Sequence, residues 1–264
     1  MTKFVALYSA LKTKSFKQVV LFIVNKLFPY KEESIKISEI YLSHFKNKCG
    51  IEIGGPSNIF SIKIPLYSVV KTLDGCNFSN KTIWEGNIIE GDNYIYFKNK
   101  SGKQYICEAN NLSMIKNEKY DFLIASHCLE HCANTLKTIE EWLRVVKKGG
   151  AILLILPDKK YTFDNKRPIT TFKHLTEDYN NNIDETDLSH LTGVLELHDL
   201  NLDKAAGTKE AFKKRSLDNF NNRCLHHHVF DFKLLEDVFT YFNIKILDLT
   251  FKKPHHQIIL GVKQ

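Results

Sequence analysis

An apolar run in this chain ends in Glu52-Ile-Gly-Gly-Pro-Ser57. A carboxylate followed at once by two glycines is how a buried strand turns into a loop whose backbone must approach a ligand. Gly54 and Gly55 tolerate positive φ and leave no Cβ in the way. Asp74 follows the next apolar run, about twenty residues after the first glycine, where an acid can accept both hydroxyls of a ribose. Histidine is the second chemical signal, with eleven in the chain. His226, His227 and His228 are consecutive, and an imidazole there can act as general base toward an acceptor hydroxyl. Asp231 just after them is an N-cap for a helix starting near Phe232, which leaves the three histidines a structural alternative. His190 and His198 are further candidates for substrate contact. Arg167 and Arg223 can grip an anionic group through paired hydrogen bonds. His127 and His131 stand at i, i+4, and Cys128 and Cys132 repeat that spacing, which suits a metal only if the segment is helical.

These residues need elements to hold them. Gly50–Gly54, Ser68–Leu73, Gln104–Glu108, Tyr120–Ser126 and Gly150–Leu156 read as short apolar strands of the kind covered on both faces. Between Thr135 and Lys147, Leu136, Ile139, Trp142, Leu143 and Val146 recur at helical spacing, and Lys147-Lys148-Gly149-Gly150 supplies a basic last turn and a stop. Strand and helix alternation predicts a doubly wound α/β sheet. A helix over 232–242 and two strands, 244–251 and 256–262, close the chain as an antiparallel hairpin. By the switch-point rule the carboxyl ends of parallel strands line the ligand crevice, which places Ser126 and His127 there. Pro65 rules out a long regular helix in the first crossover. Residues 159–230 lose the rhythm, and a polar stretch of that length in a compact domain is expected to be functional. Residues 1–46 read as a basic helical extension, with a helix over 32–46, either capping the domain or serving as a dimer or membrane-surface contact.

Composition bounds the partners. The 264 residues carry a formal charge of +7, a modest excess that fits an anionic small molecule and does not require nucleic acid. The six scattered cysteines do not form a disulfide framework. No apolar run reaches a membrane span, and the N-terminus lacks a signal-peptide layout, so a cytoplasmic protein is expected.

Glu52-Ile-Gly-Gly, Tyr120-Asp-Phe-Leu-Ile-Ala-Ser-His-Cys-Leu-Glu-His131 and Glu141-Trp-Leu-Arg-Val-Val-Lys-Lys-Gly-Gly-Ala-Ile-Leu-Leu-Ile-Leu-Pro157 together resemble a class I S-adenosylmethionine-dependent methyltransferase. The last two blocks resemble the subgroup acting on small molecules and sugars. Asn222-Arg-Cys-Leu-His-His-His-Val-Phe-Asp231 more loosely resembles methyltransferase-like proteins of bacterial surface-polysaccharide (capsule) clusters. The resemblance covers 47–158 and the terminal hairpin. It implies a Rossmann-like, mostly parallel seven-stranded sheet in a domain over 47–264, with 159–230 as a lid-like, substrate-binding insert. S-adenosyl-L-methionine is the implied cofactor. Glu52 then holds its amino group or orders the loop, with Gly54, Gly55, Pro56 and Ser57 at its methionine end. Glu108, with Ala109 and Asn110 beside it, sits where the family bonds the adenine. Ser126 and His127 fall near the sulfonium, with His127 a candidate base. The Leu-Glu-His run is ordinary in that family without metal, so no metal is expected there. Pro56 and Ser57 stand where the family has its third loop glycine. The implied activity is O-methylation of a small sugar, sugar nucleotide or phosphate-bearing precursor of a surface glycan. A nucleic-acid methyltransferase is the alternative, against which stands Ser126-His-Cys-Leu at the fourth strand end. A non-catalytic protein that kept the fold is the third reading.

Overall fold

The computed structural model describes residues 37–264. The 1–36 part of the expected N-terminal extension, including the first five residues of its helix over 32–46, lies outside them; within the described part the helix is α1 (Glu39–Phe45). The sheet is built from β1 (Cys49–Ile53), β2 (Thr72–Asn77), β5 (Gly91–Phe97), β6 (Lys100–Ile106), β7 (Tyr120–Ser126), β8 (Val146–Pro157), β9 (Ile244–Lys252) and β10 (His256–Lys263). Two short strands, β3 (Lys81–Thr82) and β4 (Gly86–Asn87), form a separate ribbon. The sheet order is β5-β6-β2-β1-β7-β8-β10-β9. From β6 to β8 neighbouring strands run parallel, and β10 pairs antiparallel with both β8 and β9. The α/β fold with a terminal antiparallel pair is therefore as expected.

Alternation along the strands feeds two cores. Ile51, Ile53, Leu123 and Leu154 point to the face covered by α4 (Thr135–Val145) and α9 (Phe232–Tyr241), against Trp142, Leu234 and Phe239. Phe122, Ile124, Leu153 and Ile155 point to the other face, covered by α1, α2 (Ile59–Ile62) and α3 (Leu66–Val69). The first crossover is thus two single-turn helices, as Pro65 required. Asn134 caps α4, its side chain accepting from the Lys137 amide at 3.1 Å, and Asp231 caps α9 in the same way at 2.8 Å.

Three expectations need correction. The second strand does not cover Ser68–Leu73: Ser68 belongs to α3, and the strand runs from Thr72 to Asn77. Gly75 lies inside this strand, where it pairs with Glu52, and a Cβ on it would lie 2.1 Å from the Tyr94 ring. The sheet has eight strands, because β5 pairs antiparallel with the outer edge of β6. α4 also stops at Val145, so Lys147–Gly150 begin β8 rather than end the helix.

Residues 159–230 fold into short helices: α5 (Phe172–Asn180), α6 (Leu191–Leu197), α7 (Lys209–Leu217) and α8 (Asn219–Asn222). Among the described residues no helix is long and apolar enough to cross a membrane.

Candidate active site

A cleft of about 360 Å³ opens at the carboxyl ends of β1, β2, β6 and β7. The loop after β1 supplies Gly54, Pro56, Ser57 and Asn58. Gly54 has φ of +79°, and a Cβ there would also press on the Cys128 side chain at 3.2 Å. Below the loop Glu52 is fully buried. Its Oε1 accepts from the Ser57 amide at 3.0 Å, and its Oε2 accepts from the hydroxyls of Tyr67 at 2.6 Å and Tyr94 at 2.5 Å. Burial pushes the Glu52 carboxyl up to about 7, against the pull of these three hydrogen bonds. Glu52 therefore orders the loop from beneath and does not line the cleft. Gly55 is what lets the loop lie on it, since a Cβ would fall 2.2 Å from the Glu52 carboxyl carbon and 2.3 Å from the Tyr94 hydroxyl. Gly55→Ala is expected to cost about 1–3 kcal/mol by overpacking and to weaken cofactor binding. Thermal unfolding and calorimetric titration check both, and an unaltered affinity would count against the loop's role.

Strand β2 ends at Asn77, whose side-chain amide donates to the Gly55 carbonyl at 3.1 Å. Phe78, Trp84 and Glu85 continue the wall. Glu108 and Ala109 follow β6. Glu108 meets Arg223, whose Nη2 lies 2.5 Å from its Oε1. The Arg223 guanidinium also lies over Phe78 and Phe220, and 3.9 Å from Glu185 Oε2. Burial pushes the Glu185 carboxyl up to about 7 even with that cation beside it. The charged lining is thus Glu85, Glu108 and Glu185 against Arg223.

At the end of β7, Ser126, His127 and His131 line the cleft. His127 has φ of 51°, a left-handed residue that turns the chain out of the strand. Its Nε2 is 2.9 Å from Nδ1 of His256, which also lines the cleft. His131 Nδ1 lies 3.2 Å from the Leu225 carbonyl. A carbonyl only accepts, so Nδ1 carries the proton and Nε2 keeps its lone pair. Burial, reinforced by the nearby His226, pushes the His131 ring down to about 4, so it stays neutral near pH 7.

Several expected site residues are elsewhere. Asp74 sits inside β2, three residues before the strand end, held by the Tyr120 hydroxyl at 2.7 Å and Lys119 at 3.1 Å. Asn110 faces a neighbouring hollow and Glu185. None of the three consecutive histidines lines the cleft. His226 Nδ1 pairs with Asp164 at 2.6 Å, Asn219 donates to His227 Nε2 at 3.1 Å, and His228 Nε2 meets Asp178 at 2.9 Å. Arg167 is buried and spends its guanidinium on Asp164 and the carbonyls of His226 and His227. His190 contacts His174 at 2.7 Å, and His198 stacks between Phe163 and Phe212 while meeting Asp203 at 3.1 Å. Asn77, Trp84, Glu85, His131, Glu185 and His256 are lining residues that the sequence alone did not single out for cofactor or acceptor.

The cleft fits S-adenosylmethionine. A positive-φ glycine opens space beside Ser57 and Asn58 for its amino-acid end, and Phe78, Glu108 and Ala109 offer an apolar wall with one polar group for its base. The excess of carboxylates suits a positively charged cofactor. Asn77 is spent on Gly55 at the strand end where an acid was expected.

Residues 90–154 match a family model described as a methyltransferase domain, under half of the chain. No curated protein matches. Among solved structures, the chain is similar to a protein of Pyrococcus horikoshii, with 10% identity, 94% of this chain and 92% of that one covered and a TM-score of 0.48. It is similar to a methyltransferase of Thermotoga maritima dependent on S-adenosylmethionine, with 15% identity, 94% and 95% covered and a TM-score of 0.44. For another such methyltransferase from Methanosarcina mazei the values are 15%, 87% and 99%, and 0.44. The domain match, the sheet order and the cleft at its strand ends together support methyltransferase activity with S-adenosylmethionine as the cofactor.

Proposed function

We propose that the enzyme methylates a hydroxyl of a small polar acceptor, with His131 as the general base. The carrying observation is His131 itself, a cleft-lining residue whose ring is pinned through Nδ1 to the Leu225 carbonyl, which leaves Nε2 as its lone-pair nitrogen. When bound, the cofactor supplies an electrophilic methyl group on sulfur. The chain's own part is to align the acceptor and hold its proton. Gly54, Ser57 and Asn58 would hold the amino-acid end, and Phe78, Glu108 and Ala109 the adenosine. The acceptor sits on the Ser126–His131 side, and Nε2 of His131 takes its proton. Arg223 is spent on Glu108 and Glu185, so the lining favours a neutral hydroxyl over a phosphate as the reacting end. The sugar character of the acceptor, and a place in surface-polysaccharide (capsule) assembly, rest on the resemblance of the Tyr120–His131 and Glu141–Pro157 blocks.

Calorimetric titration with S-adenosylmethionine and its demethylated product tests the cofactor site, and absence of binding at millimolar concentration sinks it. A panel of sugars and sugar nucleotides then tests the acceptor. His131→Gln is expected to lower kcat by about 100-fold with cofactor affinity unchanged. The acid limb of kcat in the unmodified enzyme is expected near the His131 value of about 4. An acid limb at the ordinary histidine value, or an unimpaired variant, removes His131 from this role.

A further inference from the structure

Four side chains from three separate segments of the insert converge outside the cleft. His174 and Asp178 stand one turn apart on α5, His190 immediately precedes α6, and His228 lies in the extended segment before α9. His174 Nε2 is 2.7 Å from His190 Nε2 and 3.4 Å from Asp178 Oδ2. His228 Nε2 is 2.9 Å from the same Asp178 oxygen. One ligand atom from each of the four lies within 4.8 Å of all the others. None of the four lines the cleft.

The surroundings aim these atoms inward. His190 Nδ1 lies 3.3 Å from Asp187 Oδ2, and a carboxylate there takes the Nδ1 proton and leaves Nε2 as a lone pair. His228 Nδ1 lies 3.2 Å from the Thr135 hydroxyl, which can accept its proton in the same way. Two imidazole lone pairs and a carboxylate oxygen then face one small space together with His174. Lone pairs at such distances repel one another unless a shared proton or a metal cation lies between them.

We propose that His174, Asp178, His190 and His228 bind a Zn²⁺ ion that fastens three segments of the insert to one another. Bonds of about 2.0–2.1 Å to a tetrahedral zinc separate neighbouring ligand atoms by about 3.3 Å. The observed separations of 2.7, 2.9 and 3.4 Å need only small rotations to meet that value. Three imidazoles with one carboxylate and no thiolate suit zinc, and four protein ligands leave no open position, which marks a structural rather than a catalytic site. Asp178 and His228 are buried, whereas His174 is the outermost ligand and offers the way in. The fastening has a consequence for the cleft. Glu185 lies between Asp178 and His190 in the chain, Arg223 lies just before His228, and both form the cleft wall.

The test uses the full chain without a histidine tag, stripped with chelator and reloaded. Elemental analysis after dialysis is expected to find one Zn²⁺ per chain, Co²⁺ in its place to give the intense visible bands of tetrahedral coordination, and Zn²⁺ to raise the thermal midpoint by several degrees. His174→Gln, at the most exposed ligand, and Asp178→Asn are expected to weaken Zn²⁺ binding about 100-fold or more, while His255→Gln leaves it unchanged. Circular dichroism confirms that each variant is folded. Equal zinc content in folded His174→Gln and the unmodified chain overturns the proposal. So does loss of zinc in His255→Gln, which would place the ion among His127, His255 and His256.

Discussion

Glu52→Ala is expected to cost about 3–5 kcal/mol of stability and to weaken S-adenosylmethionine binding by about tenfold or more. The substitution leaves the hydroxyls of two buried tyrosines without their acceptor, at roughly 1–3 kcal/mol each, and opens a cavity under the loop. The binding loss follows because Ser57 would keep only the Tyr67 hydroxyl, itself now without its Glu52 acceptor, and re-ordering even one loop residue costs roughly 1–2 kcal/mol. The effect depends on pH with a definite sign. Burial raises the folded carboxyl to about 7 from an ordinary 4.5, so between those values the folded state holds more protons than the unfolded one. Stability from this group is therefore highest at low pH and declines as pH rises toward 7. The shift corresponds to about 3 kcal/mol. Glu52→Gln removes the titration, so the stability gap between the unmodified protein and this variant should shrink by about that amount from pH 4.5 to 7.5. Urea unfolding at the two ends measures it. A gap that does not change with pH would mean that Glu52 titrates normally and lies less buried than described.

Much of the fold is legible because hydrophobic runs state their own burial. Tyr120–Ser126 reads correctly, since a strand covered on both faces has to be apolar throughout, and the hairpin of β9 and β10 reads correctly from its apolar runs on either side of Lys253-Pro254. β2 lies later than the apolar run Ser68–Leu73 predicts, because it continues through Asp74-Gly75 to Asn77. Only the Tyr94 ring, delivered from another strand, shows that Gly75 is there to make room. β5 escaped notice although Tyr94, Ile95 and Tyr96 alternate between buried and exposed, because its partner is the edge of the sheet and its flanks are polar.

The candidate site divides the same way. Positions set by strand ends, Gly54, Ser57, Glu108, Ser126 and His127, fall in the cleft because topology alone puts them there. Positions judged by chemical type do not. The run His226–His228 looks reactive in sequence, yet Asp164, Asn219 and Asp178 each come from elsewhere in the chain to engage one ring. Tertiary partners decide whether an imidazole is a base or a strut, and no spacing rule records them. His131 is the converse case. Its role rests on a backbone carbonyl 94 residues away, which a sequence pattern cannot show.

Asp164→Asn is expected to be the other severe substitution, at about 3–5 kcal/mol, since it breaks a buried ion pair and strands its partners. Asp164 accepts from Arg167 at 2.9 Å and pairs with His226 at 2.6 Å, and all three are buried. Burial alone would raise the Asp164 carboxyl, but His226 and Arg167 outweigh it and hold it well below the usual carboxylate range. Burial likewise pushes His226 down, and Asp164 outweighs it and holds the ring above its ordinary value. The signs follow from linkage. The Asp164 contribution is present above the ordinary carboxylate pKa of 3.8 and is lost as pH falls. The His226 contribution is full below 6.5 and is lost as pH rises through the raised folded value. The penalty of Asp164→Asn should therefore be largest near pH 5–6 and shrink as pH rises through the raised His226 value, above which only the Arg167 pairing remains to be broken. His226→Gln should flatten that pH dependence, and the double variant should be less unstable than the sum of the two, because the pair is coupled. Urea unfolding of the three variants at pH 5.5 and pH 9 measures all of this. A penalty for Asp164→Asn under about 1 kcal/mol, or one equal at both pH values, would show that the pair does not carry the charge assigned to it. Because His228 and Arg223 flank this anchor in the chain, the folded remainder of Asp164→Asn should also bind cofactor more weakly, through a displaced Arg223 wall rather than through any direct contact.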